Sequence, residues 1–506
     1  MYSHELAFLP FLSLLIILSS GASVRPSYFE TLGSHEYQSK AIPSSYSVSD
    51  FKTLYFTQSL DHFNYRPESY TTFKQKYLIS AKYWGGANSS APIFVYLGPE
   101  KPLEVDPTTE NGFVIDNAPQ FKALIVIIEH RYYGESIPFG SRDEAFQNAS
   151  TLGYFNSAQA LADYAEILIH IKKRLGAQLS PVIVIGASYG GMLASWFRLK
   201  YPHVALGALA SSAPVLLSPD IVIPPEKEYF AIVSKDFRDT SESCYQTIKR
   251  SWSEIDKIAS QRNGLSSLSK KFHTCRPLSS VEQIKSHLKN LYREAAQYDN
   301  PPTYPVSVIC DAIDQTHSSP NETTLKKIFA GMIAYRGNNS CYNVDTTMLV
   351  SDPISIQDQI SEGWFWQTCS EIEFPMGINN NGTMFPPSPF NLTSDIMLCN
   401  MFYNVSLRPH WVSTYYGGQA IRLTLRRFAS NVIFSNGLRD PFSGGGVLHS
   451  ISKNVVAVTT EKGAHALDMA SENNATDPVW LVKMRKTEVK IIRGWLSKYY
   501  ADLDDV

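Results

Sequence analysis

The chain has 506 residues, 44% of them apolar and 18% charged, and a formal net charge of −2. These proportions exclude a disordered chain, and the near-neutral balance without a basic cluster excludes an electrostatic nucleic-acid binder. The length admits one large domain carrying an insertion, or several domains.

In chain order, residues 1–22 read as a signal peptide: Leu6–Leu18 is mostly apolar, and Ser20, Gly21 and Ala22 are small enough for cleavage. That run is short for a bilayer span and no second long apolar stretch follows, so no membrane association is expected after cleavage. Residues 23–50, rich in Ser, Tyr and Pro, read as an N-terminal tail or propeptide. Residues 51–212 then alternate. Strands are predicted at Leu54–Phe56, Thr72–Ala81, Pro92–Leu97, Ala123–Ile128, Val182–Ile185 and Ala205–Ala210. Helices are predicted over Gly112–Phe121, Leu161–Leu175 and Met192–Lys200, the second ending in Lys172, Lys173 and Arg174 before a stop at Gly176. Buried strands alternating with helices predict an α/β fold with a mostly parallel sheet.

Residues 213–400 break this rhythm. They hold all six cysteines, Cys244, Cys275, Cys310, Cys341, Cys369 and Cys399, and helical patterns at Ser251–Ile258, Val281–Leu291 and Thr324–Tyr335. No C-x-x-C spacing occurs, so disulfides are expected and no metal site. Cys369 with Cys399, close in sequence, is the favoured pair; the other four cysteines are left open. The segment reads as a disulfide-stapled helical cap inserted into the sheet. Residues 401–506 resume the alternation with strands at Asn431–Ser435 and Asn454–Thr459 and a long helix over Val482–Tyr499. N-x-S/T sequons at Asn88, Asn148, Asn321, Asn338, Asn381, Asn391, Asn404 and Asn474 predict surface glycosylation. With the leader and the even cysteine count, they predict the secretory pathway, ending in a vacuole or lysosome or outside the cell.

The chemistry centres on Gly186-Ala187-Ser188-Tyr189-Gly190, a G-x-S-x-G between a predicted strand and a predicted helix. Strand, tight turn and helix make the nucleophile elbow of an α/β-hydrolase, with Ser188 where free helix N–H groups favour developing negative charge. Such a serine needs a base and an acid that orients it, in the chain order Ser, Asp, His, each beyond a strand end. Asp440 follows the strand ending at Ser435, and His465 follows the strand ending at Thr459. Singly, these are matched by a glycine-rich turn, an Asp-Pro turn and a loop histidine. Only their order and setting make a triad.

At this point the residues carry a likeness. The chain resembles the serine exopeptidase family of lysosomal Pro-X carboxypeptidase and dipeptidyl peptidase II, from Phe51 to the C-terminus. The carriers are Tyr55-Phe56, Asp61-His62-Phe63, Glu129 to Ser136 with Pro138-Phe139-Gly140, and Gly186 to Gly191. Ser211 to Pro214, Trp364 to Cys369, Ser435 to Gly437, Asp440-Pro441 and Ser443 to Gly446 continue the series. The resemblance implies Ser188, Asp440 and His465 as catalytic residues, a helical cap over the cleft, and cleavage after a proline near a peptide end. It implies an acyl-enzyme and no cofactor. Peptides with proline near one end are the expected partners, and a homodimer is left open. Whether one C-terminal residue or an N-terminal dipeptide is released also stays open. An esterase, or a catalytically impaired binding protein on the same scaffold, are the rival readings.

Three positions depart from the family pattern. Phe442 stands where the family has Trp, and Ala466 and Ala470 stand where it has a second His and an Arg. Gly98-Pro99-Glu100-Lys101 stands where Gly-Asn-Glu-Gly is usual. This last loop supplies the second oxyanion donor beside the Tyr189 N–H. Pro99 has no N–H, so the donor comes from Gly98 or Glu100. Trp366 and Met376, with Trp364 and Phe442, are expected to line an apolar proline pocket, against the plainer account that they are cap core. Glu100 and Glu129 are weighed as acceptors of a substrate amine, against a salt bridge to Arg131.

Overall fold

The computed structural model describes residues 24–26, 46–103, 111–315, 323–344, 347–349, 356–379, 382–473 and 475–505. The predicted leader and Asn321, Asn381 and Asn474 lie outside these residues. The main sheet has eight strands: β1 (Lys52–Ser59), β2 (Thr72–Ser80), β3 (Ile93–Leu97), β4 (Leu124–Ile128), β5 (Val182–Ala187), β6 (Gly207–Ser211), β7 (Val432–Gly437) and β8 (Val455–Thr460). They lie in the order β1-β2-β4-β3-β5-β6-β7-β8. β1 pairs antiparallel with β2, and β2 with β4; from β4 to β8 every pairing is parallel.

The unbroken apolar runs of β3, β4 and β5 follow from burial on both faces. Ile93, Val95, Leu97, Leu124, Val126, Ile128, Val182 and Val184 enter one core. Their neighbours Phe94, Tyr96, Ile125, Ile127, Ile183 and Ile185 enter the other. Helices α2 (Ser157–Arg174) and α3 (Tyr189–Lys200) cover the first face, and α1 (Gly112–Phe121) with the C-terminal helix Val479–Asp504 the second. The chain has an α/β-hydrolase fold.

Ten helices lie between β6 and β7: α4 (Tyr229–Thr240), α5 (Glu242–Ala259), α6 (Gly264–Lys271), α7 (Val281–Gln297), α8 (Pro305–Gln315), α9 (Thr324–Arg336), α10 (Ile356–Ser370), α11 (Leu392–Tyr403), α12 (Trp411–Tyr416) and α13 (Ile421–Phe428). The C-terminal helix is α14. The boundary read at residue 400 falls inside α11, and the sheet resumes only at Val432. The helical stretch is thus longer than composition suggested, because cysteines stop marking it at Cys399. Three disulfides staple it: Cys244–Cys310, Cys275–Cys341 and the expected Cys369–Cys399. The sequon residues Asn88, Asn148, Asn338, Asn391 and Asn404 are all exposed.

Candidate active site

Ser188 sits between β5 and α3 with φ 55° and ψ −124°, a conformation that a side-chain-bearing residue holds only when its surroundings enforce it. The enforcement is visible. A Cβ on Gly186 would lie 2.2 Å from the Gly190 carbonyl oxygen, and one on Gly191 would lie 2.7 Å from that of Ser211. Only glycine lets strand and helix approach so closely. The Ser188 N–H donates to the Ser211 carbonyl (2.9 Å) in β6, and the Ser188 carbonyl accepts from the Met192 N–H (3.0 Å). The hydroxyl is buried and makes no hydrogen bond within the described residues, as is common before substrate tightens a site.

Asp440 and His465 meet across the ends of β7 and β8. His465 Nδ1 lies 2.8 Å from Asp440 Oδ2, and Asp440 Oδ1 accepts the Phe442 N–H at 3.0 Å. With Nδ1–H donated to the carboxylate, Nε2 carries the lone pair a base needs. Two neighbours brace this loop. The His465 N–H donates to the Gln297 carbonyl (3.0 Å) at the end of cap helix α7, and the Ala466 N–H donates to Ser212 Oγ (2.8 Å). Other histidines are otherwise engaged. His130 is fully enclosed, with Nδ1 against the Arg131 carbonyl (2.7 Å) and Nε2 against Tyr189 Oη (3.1 Å), and burial pushes it down to about 4. His62 pairs with Asp163 and His410 with Asp220.

For the oxyanion, the Gly98 N–H donates to the Ile128 carbonyl (2.9 Å), so Glu100 is the loop's candidate beside Tyr189 at the start of α3. The Glu100 side chain is buried within the field of Tyr133 and Tyr298, whose phenols are raised by burial first and by this carboxylate second. Glu129 is committed elsewhere. Its carboxylate accepts the Leu103 N–H (3.0 Å), the Glu135 N–H (3.0 Å), the Ser136 N–H (2.9 Å) and the Ser136 hydroxyl (2.6 Å). Arg131 instead grips Asp163, with Nε 2.7 Å from Oδ2 and Nη2 2.5 Å from Oδ1, so neither reading of Glu129 matches its role.

An aromatic wall runs from the elbow to the histidine. Ring centroids are 5.5 Å apart for Tyr189 and Trp364, 6.0 Å for Trp364 and Phe374, 6.4 Å for Phe374 and Phe442, and 5.6 Å for Phe442 and His465. Tyr229 backs Phe442 at 4.8 Å, and half-buried Met376 packs on the same core. Trp366 does not join them. Its indole N–H donates to the Phe155 carbonyl (2.9 Å), and its ring sits with Tyr132, Tyr133 and Phe155. Two helical positions turn a side chain by about 200°, so Trp364 and Trp366 cannot share a face. Phe374, Tyr229 and Gln297 carry no motif that would single them out. Only Phe374, two residues before Met376, lies near a position considered.

The profile of the family described as serine carboxypeptidase S28 matches residues 58–488. The chain belongs to that family. Among curated relatives of this S28 peptidase, the lysosomal Pro-X carboxypeptidase of Mus musculus is 36% identical over 507 residues, covering 97% of this chain and 99% of its own. That of Homo sapiens is 37% identical over 475 residues, covering 91% and 90%. The thymus-specific serine protease of Homo sapiens is 28% identical over 452 residues, covering 84% and 83%. As an S28 member the chain is a serine exopeptidase acting on peptides. Its lysosomal relatives and its disulfides put it on the secretory route. No helix among the described residues is long and apolar enough to cross a membrane.

Proposed function

We propose that this S28 peptidase is Pro-X carboxypeptidase-like, releasing the residue that follows a proline at a peptide C-terminus. Ser188 Oγ attacks the proline carbonyl carbon while His465 Nε2 takes its proton, and Asp440 holds the imidazole and balances its charge. The oxyanion is met by the N–H groups of Tyr189 and Glu100. The C–N bond then breaks as the imidazolium gives its proton to the leaving amine. Water, activated by the same histidine, cleaves the ester and restores the serine. The observation that carries the reading is the wall from Tyr189 through Trp364 and Phe374 to Phe442. It borders the nucleophile and the base with flat, apolar surface, the chemistry a pyrrolidine ring requires. The near full-length likeness to proteins named Pro-X carboxypeptidase supports it.

One observation favours a second reading, removal of an N-terminal X-Pro dipeptide: the buried Glu100 carboxylate lies beside the site and suits a substrate ammonium. Two peptides separate these readings by mass spectrometry, with Ser188→Ala as control. One has a blocked N-terminus and a free C-terminal residue after proline; the other has the reverse protection. Release of the C-terminal residue from the first is the expected result. Release of a dipeptide from the second transfers the assignment, and cleavage of neither sinks both.

A further inference from the structure

Beneath the histidine loop lies a pair of acids that the reaction above does not use. Asp468 stands three residues beyond His465, and Glu488 projects from α14; they are 2% and 0% exposed. Each carboxyl receives one hydroxyl. Ser211 Oγ donates to Asp468 Oδ1 (2.5 Å) and Ser435 Oγ to Glu488 Oε1 (2.6 Å). These serines are register partners in adjacent strands, and Ser211 also pairs with Ala187, the residue before the nucleophile. The acids therefore sit under the strand ends that carry the triad. Their second oxygens, Asp468 Oδ2 and Glu488 Oε2, receive no donor from any described residue, yet the two carboxyls are within hydrogen-bonding reach of each other. Two ionised carboxylates in contact only repel, whereas one proton between them makes a charge-assisted hydrogen bond that satisfies both oxygens.

The surrounding charges favour that proton. Arg485, from α14, donates to the carbonyls of Leu467, Asp468 and Ala470 and to the Asp477 carboxylate, so its charge is already opposed by Asp477. From α1, Asp116 accepts the Glu472 N–H and adds a further acid to the neighbourhood. One cation thus stands among Asp468, Glu488, Asp477, Glu472 and Asp116. Burial raises both members of the pair, and the charge of Asp468 raises Glu488 further.

We propose that Asp468 and Glu488 share one proton and together act as the positioning pair of the catalytic-histidine loop, holding it in acid and loosening it as the pH rises. The purpose, though not the proton, rests on the assignment of His465 as the base. The folded pair retains a proton that the unfolded chain, with carboxyls near their ordinary values of about 4, has already lost. Its contribution is complete below that value and disappears as the pH climbs through the raised value of the pair.

The test uses the intact, disulfide-bonded protein carrying Ser188→Ala, so that stability is read without self-digestion. Glu488→Gln places a permanent N–H donor where the shared proton lies. Between about pH 5 and 8 the folding constant of the Ser188→Ala protein should fall by up to about tenfold per pH unit more than that of the protein also carrying Glu488→Gln. Asp468→Asn should flatten the curve in the same way, and parallel curves overturn the proposal. With Ser188 restored, fluorophosphonate labelling should keep its rate to higher pH in Glu488→Gln than in the unaltered protein; identical alkaline limbs remove the positioning role. If neither variant folds, hydrogen exchange on the unaltered protein decides. Amides of residues 463–472, corrected for intrinsic exchange, should lose protection with rising pH before those of β7, and constant protection overturns the proposal. Stability and exchange do not read turnover. A protein that cuts neither test peptide but shows the slope keeps the shared proton and loses only its catalytic purpose.

Discussion

The sheet ends and the helical insertion contribute to the same site by different physical means. The sheet supplies chemistry through backbone geometry: Ser188 at φ 55°, Asp440 fixed by the Phe442 N–H, and His465 beyond β8. The insertion supplies surface and bracing: Trp364 and Phe374 in the aromatic wall, and the Gln297 carbonyl on the His465 N–H. Bond-breaking groups thus rest on the more rigid layer, and the choice of substrate on the layer that tolerates sequence change.

Breaking the sheet's contribution should have the largest effect. Ser188→Ala is expected to lower kcat by about 10⁶-fold and to abolish fluorophosphonate labelling, with circular dichroism unchanged. Asp440→Asn, which presents the wrong tautomer to the base, should cost about 10⁴-fold. A kcat within tenfold of the parent for either would remove the triad.

The insertion can be divided by its two tryptophans. Trp364→Ala opens the wall beside Tyr189 and should reduce kcat/KM for proline peptides by about 10–200-fold. Trp366→Ala should leave kcat/KM per folded molecule intact while costing about 3–5 kcal/mol in urea unfolding, because its ring and N–H are committed to the Phe155 cluster. Equal losses of kcat/KM from both would erase the distinction.

The smallest effect concerns pH. Burial pushes Glu373 up to about 8, helped by the neighbouring Asp395, and burial pushes Asp395 itself up to about 6. An acid whose folded value is raised stabilises the protein below its ordinary value and loses that contribution as the pH rises through the folded one. The urea midpoint should therefore decline from about pH 5 to 8, and Glu373→Gln should flatten the upper part of the decline. An unchanged profile would show that Glu373 is not held neutral.

The difference between the two layers also decided what could be read from the sequence. Strands β3 to β8 announced themselves because parallel strands covered on both faces are unbroken apolar runs, and the order of Ser188, Asp440 and His465 followed from the strands they trail. The insertion is read through pairwise contacts without a local period. Trp366 was preferred to Trp364, although two positions on a helix face opposite ways. Gln297 acts through a backbone carbonyl, a group that every residue has. Asp468 and Glu488 lie on different elements, and each alone looks like an ordinary solvated acid.

The position of the insertion in the chain has a consequence for biosynthesis. Ser188 precedes every cap helix, while Asp440 and His465 follow all of them. A ribosome therefore completes the nucleophile first, then the whole cap with its six cysteines, and only then the residues that activate the serine. Throughout translation the nascent chain carries an unarmed nucleophile, and any product truncated before residue 465 lacks the base.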